Sequence, residues 1–382
     1  MVASVNIKIL FVLDYYYPHI GGGEVIFQHL AEGLVNRGNT VKVITSNNNK
    51  SLPQKEMING VDIERISTPK SGARFLFPIL STRSVLKAAR QVDVIHTTTF
   101  GGALIAFLGA RMAGRPILFT ILEVLGDRWR KVEHNPIKAF FYRLLEWIIT
   151  KLPYDYWVAI SDATLKDAYA IRIPKIKSSR IYPGVDYEPA SPVGRTGTLR
   201  EKIGAQDNDF IYLYFGRPGI TKGVKYLLQA APEIQSEIPE SRLVLLLSDQ
   251  PQKQYLELCK EAQELSPFAR INILPSIKEN KGLYSYLRDA DCIVIPSITE
   301  GFGLSAAETC SLGIPIVATR AGSLPEVVSG CYLMIEPASS KAITKAVVQM
   351  YHKDWYETPL KKFSWVVMVM HYETIYLKLI KT

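Results

Sequence analysis

One pattern recurs along this chain: an apolar run rich in Val and Ile, a turn with Gly or Ser, and a stretch with the apolar period of a helix. Such alternation is typical of β-α-β units, which build a parallel sheet with helices on its faces. In the first half it predicts strands at 8–13, 40–45, 92–96, 116–120 and 156–160, with helices at 24–37, 102–113 and 162–170.

The pattern restarts after residues 186–200, which hold Pro and Gly but few large apolar residues and are therefore predicted to be a linker. The second half has predicted strands at 210–215, 242–247, 271–274, 292–296 and 316–318, and helices that include 223–233 and 305–312. Because 382 residues exceed what one core usually supports, we predict two doubly wound, Rossmann-like α/β domains that face each other across a cleft. The cleft is the expected ligand site.

Composition narrows the class of protein. With 47% hydrophobic and 21% charged residues the chain is of globular type, and it has no uninterrupted apolar run of the roughly 18 residues that a spanning helix needs. The apolar run at 7–14 is interpreted as a strand rather than a signal peptide, since no basic segment precedes it. The four cysteines lack metal-ligand spacing, so reduced thiols and a cytoplasmic location are expected.

The positive charge is uneven. Residues 1–188 carry 24 Lys and Arg against 16 Asp and Glu, whereas the rest of the chain carries 21 against 20. A basic half is compatible with nucleic acid, with an anionic membrane surface or with a phosphate-bearing substrate. Composition alone leaves these three open.

Two glycine-containing loops follow predicted strands. Gly21-Gly22-Gly23-Glu24 leads into the first helix, where free backbone amides suit an anion; the spacing and the polar end of the second strand disfavour a dinucleotide fingerprint. Gly216-Arg217 to Lys222-Gly223 places two cations after the strand at 210–215, either as a phosphate grip or as solvated loop charges.

Two carboxylates, Glu300 and Glu308, flank two glycines after the strand at 292–296. With a helix that begins near Ser305, Glu308 is expected in its first turn, and a carboxylate there can accept hydrogen bonds from ribose hydroxyls. The alternative is that Ser305 and Glu308 form a capping box with no ligand.

Two D-x-D sequences, 207–209 and 289–291, raise the question of a manganese site. Both precede their strands, whereas such a motif is expected to follow one. We interpret them as polar strand-entry residues and predict no metal.

The ordered set of motifs, with Pro18 before Gly21-Gly22, Leu324-Pro325-Glu326-Val327-Val328 and Phe363-Ser364-Trp365, resembles the retaining nucleotide-sugar glycosyltransferases of family 4, which have the GT-B fold. The resemblance spans nearly the whole chain. It implies an acceptor-side domain at 1–188, a nucleotide-sugar domain at 189–360 and a final helix, 361–382, that packs back on the first domain.

The resemblance also implies roles for individual residues. Arg217, Lys222 and Glu300 are the expected catalytic residues, with the two cations on the donor diphosphate and Glu300 on the transferred sugar. The remaining donor contacts are expected from these residues: Gly22, Gly23, Phe302, Gly303, Leu304 and Glu308. No metal and no cofactor is expected besides the nucleotide-diphosphate sugar as co-substrate.

The acceptor side departs from the family pattern. The second histidine of a common His-x-His is missing, since Thr97 and Thr98 follow His96, and the next strand leads to Glu123 rather than to His-Asp or His-Glu. His96 and Glu123 are the acceptor-side candidates, and His96 has the alternative of a strand-end residue bonded to backbone.

A predicted helix over 137–152 carries an apolar stripe: Ile137, Phe140, Phe141, Leu144, Leu145, Ile148, Ile149 and Leu152. Lys138, Arg143 and Lys151 flank it. Packing against the domain core is the favoured interpretation, and contact with an anionic membrane is the alternative. No nucleic-acid recognition motif accompanies it, so nucleic acid is not an expected partner.

Together these features predict a retaining, metal-independent glycosyltransferase that transfers a sugar to a hydroxyl of a glycan, a polysaccharide precursor or a lipid-linked acceptor. It would work in the cytoplasm, with a peripheral position on the cytoplasmic membrane face as an option. The rival enzymes are GT-B epimerases and phosphorylases. The rival outside enzymes is a degenerate sugar-nucleotide-binding or membrane scaffold protein without turnover.

Overall fold

The structure is a computed structural model that describes residues 6–19, 21–47, 49, 51–69, 72–133, 135–186, 194–277 and 280–381. The chain divides into two compact units. The first is Met1–Gly184 together with Phe363–Thr382, and the second is Val185–Lys362. Each unit is a mostly parallel sheet with helices, which confirms the predicted fold class.

The sheet of the first unit has the strand order β3-β4-β2-β1-β5-β6-β7-β8. All its neighbouring strands run parallel except the β3–β4 hairpin. The strands are β1 Lys8–Leu13, β2 Thr40–Asn47, β3 Lys55–Ile58, β4 Val61–Ser67, β5 Val94–Thr98, β6 Ile117–Ile121, β7 Tyr156–Ala159 and β8 Ser178–Arg180. The helices are α1 Gly22–Asn36, α2 Ala73–Leu80, α3 Thr82–Ala89, α4 Gly101–Ala113, α5 Trp129–Val132, α6 Pro136–Lys151 and α7 Asp162–Ala170. Short 3-10 turns cover Gly126–Arg128 and Lys175–Lys177.

The sheet of the second unit has the order β11-β10-β9-β12-β13-β14-β15, with β15 antiparallel to its neighbour and the other pairs parallel. The strands are β9 Phe210–Gly216, β10 Ser241–Leu247, β11 Ile271–Pro275, β12 Cys292–Ile295, β13 Ile316–Thr319, β14 Gly330–Ile335 and β15 Tyr356–Thr358. The helices are α8 Thr198–Lys202, α9 Val224–Glu237, α10 Gln252–Leu265, α11 Asn280–Arg288, α12 Leu304–Ser311, α13 Leu324–Val327 and α14 Ser340–Tyr351, and a 3-10 turn covers Ile220–Lys222. Part of the predicted linker is therefore helical, since α8 begins at Thr198; residues 187–193 of that linker lie outside the described part.

Each sheet has a point where the strand order reverses, between β1 and β5 in the first unit and between β9 and β12 in the second. At that point the connections from the two central strands run to opposite sides of the sheet. The loops that follow these strands therefore diverge and form a crevice between them. The first sheet is covered on both faces, because all of β1 after Lys8 is buried.

The last helix, α15 Trp365–Lys381, packs on α1 of the first unit. Its Glu373 bonds Arg37 at 2.7 Å and accepts a hydrogen bond from the Asn39 amide at 2.7 Å. Trp365 stacks on His29 with the ring centroids 4.0 Å apart. Residues far apart in sequence thus complete one core.

Helix α6 corrects the favoured sequence interpretation of its stripe. The face turned to the unit holds Ala139, Glu146, Ile149 and Thr150, while most of the apolar stripe is exposed. The reason is Glu146, whose buried carboxylate accepts hydrogen bonds from the amides of Leu125 and Gly126 at 2.9 and 2.7 Å. Among the described helices, α6 included, none is long and apolar enough to cross a bilayer.

Candidate active site

The strongest cluster of predicted residues lies at the switch point of the second unit. The ammonium of Lys222 donates to both carboxylate oxygens of Glu300, at 2.9 and 2.8 Å. Ser297 donates to the same carboxylate at 3.0 Å. The structure therefore brings together the predicted phosphate ligand and the predicted sugar ligand, 78 residues apart in sequence.

Two close backbone approaches fix this pair. Gly223 has a φ of +65°, and a Cβ there would lie 2.0 Å from the carbonyl oxygen of Pro296. The amide of Ile298 donates to the carbonyl of Thr221 at 2.7 Å, which joins the loop after β9 to the loop after β12. Only glycine fits at 223, and this requirement explains the Lys222-Gly223 pair.

A third loop, after β13, supports the backbone of Glu300. The amide of Ser323 donates to the Glu300 carbonyl at 3.1 Å. Gly322, at a φ of +52°, packs so closely that a Cβ would lie 2.0 Å from the same oxygen. The sequence analysis did not identify Ser297, Gly322 and Ser323 as site residues. The one feature of the sequence that could have indicated them is their position shortly after predicted strands.

Arg217 lies at the start of the loop after β9, where its carbonyl accepts a hydrogen bond from the Tyr214 hydroxyl at 2.8 Å. Its side chain is exposed. Burial raises the pKa of Tyr214, the charge of Glu300 adds to this rise and the charge of Arg217 opposes it. The guanidinium and the Glu300 carboxylate therefore act on the same hydroxyl.

The structure does not form the capping box at Ser305 and Glu308 that was the alternative interpretation, and the expectation that Glu308 lies in the first turn of the helix is wrong. Helix α12 begins at Leu304, its N-cap is Gly303 at a φ of +88°, and no side chain caps it. Glu308 consequently lies in the second turn, beyond the reach of the orphan amides that such a box would satisfy. Burial, helped by the charge of Asp186, raises the pKa of the half-buried Glu308 to about 8.

The space around Gly303 also leaves no room for a side chain. A Cβ there would lie 2.8 Å from a Leu324 methyl carbon and 3.3 Å from Cγ of Glu300. Phe302 is buried and Leu304 half-buried. The turn that holds the three predicted sugar-binding amides is therefore packed between Glu300 and α13.

The two D-x-D sequences lie ahead of β9 and β12, as interpreted from the sequence, and the carboxylates of Asp209, Asp289 and Asp291 have structural partners. Asp209 pairs with Arg242 at 2.7 Å and Arg270 at 3.0 Å. Asp289 accepts from the amides of Gly197 and Leu199, and Asp291 pairs with Arg200.

In the first unit, polar groups gather at the switch point between β1 and β5. The carboxylate of Asp14 accepts hydrogen bonds from the amides of Gly101 and Gly102, at 3.1 and 2.6 Å, and so satisfies the start of α4. Phe100, just before them, has a φ of +87°. Non-glycine residues with a positive φ concentrate at functional sites, and no sequence signal marked this one.

The predicted glycine loop lies beside this point, at the start of α1. Gly22 opens the helix, and Glu24 in its first turn pairs with His19 at 3.2 Å. A Cβ at Gly23 would lie 2.6 Å from a methyl carbon of Leu122, in the loop that also carries the half-buried Glu123. The start of α1 and the loop after β6 are thus in close proximity.

His96 is not an acceptor-side residue in this structure, which corrects that prediction. Its side chain is 0% exposed, with Nδ1 2.6 Å from the Tyr376 hydroxyl and Nε2 2.7 Å from the Thr120 hydroxyl. Burial lowers the pKa of the ring to about 3, so the imidazole is neutral. The alternative interpretation, a strand-end residue with hydrogen-bonded ring nitrogens, agrees better with the structure, although the partners of His96 are side chains rather than backbone groups.

Comparison with known families agrees with this geometry. A model described as "Glycosyltransferase Family 4" matches residues 20–189, and one described as "Glycosyl transferases group 1" matches residues 196–362. The chain belongs to glycosyltransferase family 4. The first match covers most of the first unit of this glycosyltransferase, and the second match covers most of the second unit. The fold class is GT-B.

The relatives of this glycosyltransferase include an uncharacterised glycosyltransferase of Methanocaldococcus jannaschii, 29% identical over 336 residues, or 84% of this chain and 82% of that protein. The phosphatidylinositol N-acetylglucosaminyltransferase GPI3 subunit of Saccharomyces cerevisiae is 24% identical over 335 residues, 84% of this chain and 69% of that protein. The structure of Anabaena HepE in complex with UDP-glucose superposes with a TM-score of 0.72 at 18% identity, over 98% of this chain and 96% of that one.

Proposed function

We propose that this glycosyltransferase transfers a sugar from a nucleotide-diphosphate sugar to a hydroxyl acceptor, with retention of configuration at the anomeric carbon. The observation that carries the proposal is the Lys222–Glu300 pair at the carboxyl ends of β9 and β12. It supplies a cation and a carboxylate side by side at the switch point, where open α/β sheets bind their ligands. The UDP-glucose held by Anabaena HepE supports a nucleotide sugar as donor.

Arg217 and Lys222 would carry the leaving group. When the bond between sugar and phosphate breaks, negative charge develops on the β-phosphate, and cations held in place stabilise that charge most where it forms. Because Arg217 is exposed, its guanidinium is accessible to the diphosphate and can bind two oxygens at once. Because these two cations would neutralise the charge that a metal ion otherwise neutralises, the proposal includes no metal and no further cofactor.

The two glutamates would bind the donor at opposite ends. Glu300 would accept from sugar hydroxyls once Lys222 turns toward the diphosphate, with the turn Phe302–Gly303–Leu304 beside it. Glu308 would hold the ribose. Its displacement from the helix start removes the capping explanation and supports a ligand role.

The acceptor is proposed to carry its hydroxyl on a glycan, a polysaccharide precursor or a lipid-linked molecule. The name of the yeast relative, which includes phosphatidylinositol, supports the lipid-linked class. Within the first unit, Glu123 keeps its proposed acceptor role, because it follows β6 beside the glycine loop. Gly22 and Gly23 would approach the donor diphosphate. A cytoplasmic site of action is part of the proposal, supported by four cysteines that are all free thiols.

The test is a nucleotide-release screen with UDP-, GDP- and ADP-sugars, followed by NMR of the product's anomeric proton. Release with one donor, lowered at least about tenfold by the Arg217→Ala exchange, and an anomeric configuration equal to that of the donor would support the proposal. Inversion would contradict retention. Tight calorimetric binding of nucleotide without turnover or hydrolysis of any donor would favour the sugar-nucleotide-binding scaffold instead.

A further inference from the structure

The surface of the first unit carries a cluster of exposed apolar side chains on two adjoining helices. Single exposed apolar residues are ordinary, but a contiguous group marks an interaction surface. On α2 and α6 these side chains are Phe75, Leu76, Ile79, Leu80, Ile137, Phe140, Phe141, Leu144, Trp147 and Ile148. We call this cluster the α2–α6 surface.

A groove runs between the two helices. It encloses a cavity of about 390 Å³, bordered among others by Phe75 of α2 and by Phe141, Leu144 and Ile148 of α6. Phe75 stacks on Tyr142 with the ring centroids 6.3 Å apart, which joins the helices. The volume falls in the range of small-molecule pockets, and the lining is almost entirely apolar.

The charged side chains on the helices around this groove are mostly positive, although Arg143 of α6 is paired with Asp127 at 2.8 Å. The sequences of α2, α3 and α6 contain six Lys and Arg residues and a single acidic residue, Glu146. Glu146 is buried and bonded to loop amides, so it does not balance the exposed cations. Lys138 borders the cavity itself.

We propose that the α2–α6 surface docks on an anionic lipid membrane. Its apolar side chains enter the acyl-chain region, the groove takes part of one acyl chain, and the surrounding cations bind headgroup phosphates. A second copy of this chain fits poorly, since apposing two such surfaces brings together two groups of helices that each carry an excess of positive charge. The docking goes beyond the proposed function, because sugar transfer to a soluble acceptor needs no such surface.

The groove is connected to the acceptor side of the first unit. Tyr142 contacts Trp129 with centroids 5.2 Å apart, and Trp129 contacts Phe100 at 5.9 Å, at the end of β5. Glu146 of the same helix holds the loop after β6 that carries Glu123. A lipid whose chain lies in the groove would therefore have its headgroup near the strand ends.

The first experiment measures cosedimentation with phosphatidylcholine vesicles, with and without phosphatidylglycerol. Wild-type protein should bind the anionic vesicles. The double exchange Phe140→Ser and Phe141→Ser should weaken that binding at least about tenfold. The matched control is Phe268→Ser, because Phe268 is exposed to 66% in the second unit while Phe141 is exposed to 55%. Circular dichroism and nucleotide binding check that the variants are folded.

A second variant changes charge without touching the apolar residues. Lys138→Glu with Arg143→Glu should weaken binding to anionic vesicles by about tenfold or more at low salt. The control, Lys253→Glu with Lys260→Glu, makes the same change in net charge on the exposed helix α10. Equal losses in both pairs would show nonspecific attraction and overturn the proposal.

The fluorescence of Trp147 reports whether α6 inserts into the membrane, because this side chain is 57% exposed. Lipids with brominated acyl chains should quench wild-type fluorescence, and Trp147→Phe should remove that quenching. The proposal is overturned if wild-type protein does not bind anionic vesicles at low salt, or if vesicle binding is unchanged by the Phe140 and Phe141 substitutions. It is also overturned if the protein does not bind vesicles but forms a dimer that those substitutions dissociate. Turnover of a soluble acceptor tests the proposed function separately.

Discussion

Lys222 and Glu300 form a two-pronged ion pair, with Nζ at 2.9 Å from Oε1 and 2.8 Å from Oε2. The residue proposed to neutralise the diphosphate therefore also neutralises the residue proposed to hold the sugar. When either partner is removed, the other is left with an uncompensated charge in a partly buried site. The two side chains act as one unit, and their mutants should behave accordingly.

A double-mutant cycle tests this coupling. Lys222→Ala and Glu300→Gln should each lower kcat/KM at least about tenfold, and the double variant should lose clearly less than the product of the two single losses. The reason is that Glu300→Gln removes the unpaired charge that Lys222→Ala creates. Steady-state kinetics and urea unfolding measure the two effects. Multiplicative losses would show that the pair is not coupled.

Arg217 should be needed for turnover and not for folding. Its side chain is exposed, so Arg217→Ala should leave the melting temperature unchanged while turnover falls by about tenfold to a hundredfold, since charge-assisted phosphate contacts contribute about 1.5 to 3 kcal/mol. Arg217→Lys should recover part of the loss, because charge remains and the two-pronged geometry does not. Lys225→Ala on α9 is the control, and full activity in Arg217→Ala would remove the residue from the mechanism.

Glu308 predicts an unusual pH dependence of stability. Its pKa is about 8 in the folded protein and near 4.5 when unfolded, so the folded state binds more protons between these values and stability falls as pH rises through that window. Glu308→Gln should flatten this part of the profile and weaken nucleotide binding. Urea unfolding from pH 5 to 8.5 gives the slope, with Glu264→Gln as the exposed control. An unchanged slope would contradict the raised pKa of Glu308.

His96 should matter for stability and not for catalysis. Because burial lowers its pKa to about 3 in the folded protein, the unfolded chain binds the proton first, and stability is lost as pH falls from about 6.5 toward 3. His96→Phe should reduce that loss and, near neutral pH, cost about 1 to 3 kcal/mol for the Tyr376 hydroxyl that it leaves unbonded, since the Thr120 hydroxyl keeps its hydrogen bond with Tyr372. Turnover should stay within about twofold of wild type. A folded His96→Phe enzyme without turnover would restore the acceptor role.

Gly184 should be intolerant of any side chain. A Cβ there would lie 2.1 Å from the amide nitrogen of Trp365 and 2.6 Å from its Cα. Gly184→Ala should therefore cost about 1 to 3 kcal/mol and speed hydrogen exchange in α15. Gly194→Ala, with open space around it, is the matched control. Equal stability of the two variants would show that Trp365 moves aside freely.

Periodicity predicted the fold well where a strand is buried on both faces. The bounds of β1 and α7 match the prediction, because apolar runs and a Ser-Asp start mark them locally. The β3–β4 hairpin was missed, although Asn59-Gly60 is a turn signal and both residues have a positive φ, 49° and 81°. That error was avoidable.

The site was predicted in parts. Glycines next to charged residues pointed to Lys222 and Glu300, but their contact depends on loops 78 residues apart, which no local spacing encodes. The environments of His96 and α6 were missed for a related reason. Tyr372 and Tyr376 of the last helix cover His96, and Glu146 turns α6 so that its apolar stripe points outward. Both outcomes depend on tertiary partners.

The route of the chain through its two units sets an order of events during synthesis. Residues 363–382 belong to the first unit, yet the ribosome makes them only after all of 185–362. Until α15 emerges, the nascent first unit lacks the two tyrosines over His96 and Thr120 and lacks Trp365 against Gly184. The second unit can therefore complete its core before α15 has been made, whereas the first unit, although most of it is synthesised earlier, cannot do so until α15 has emerged.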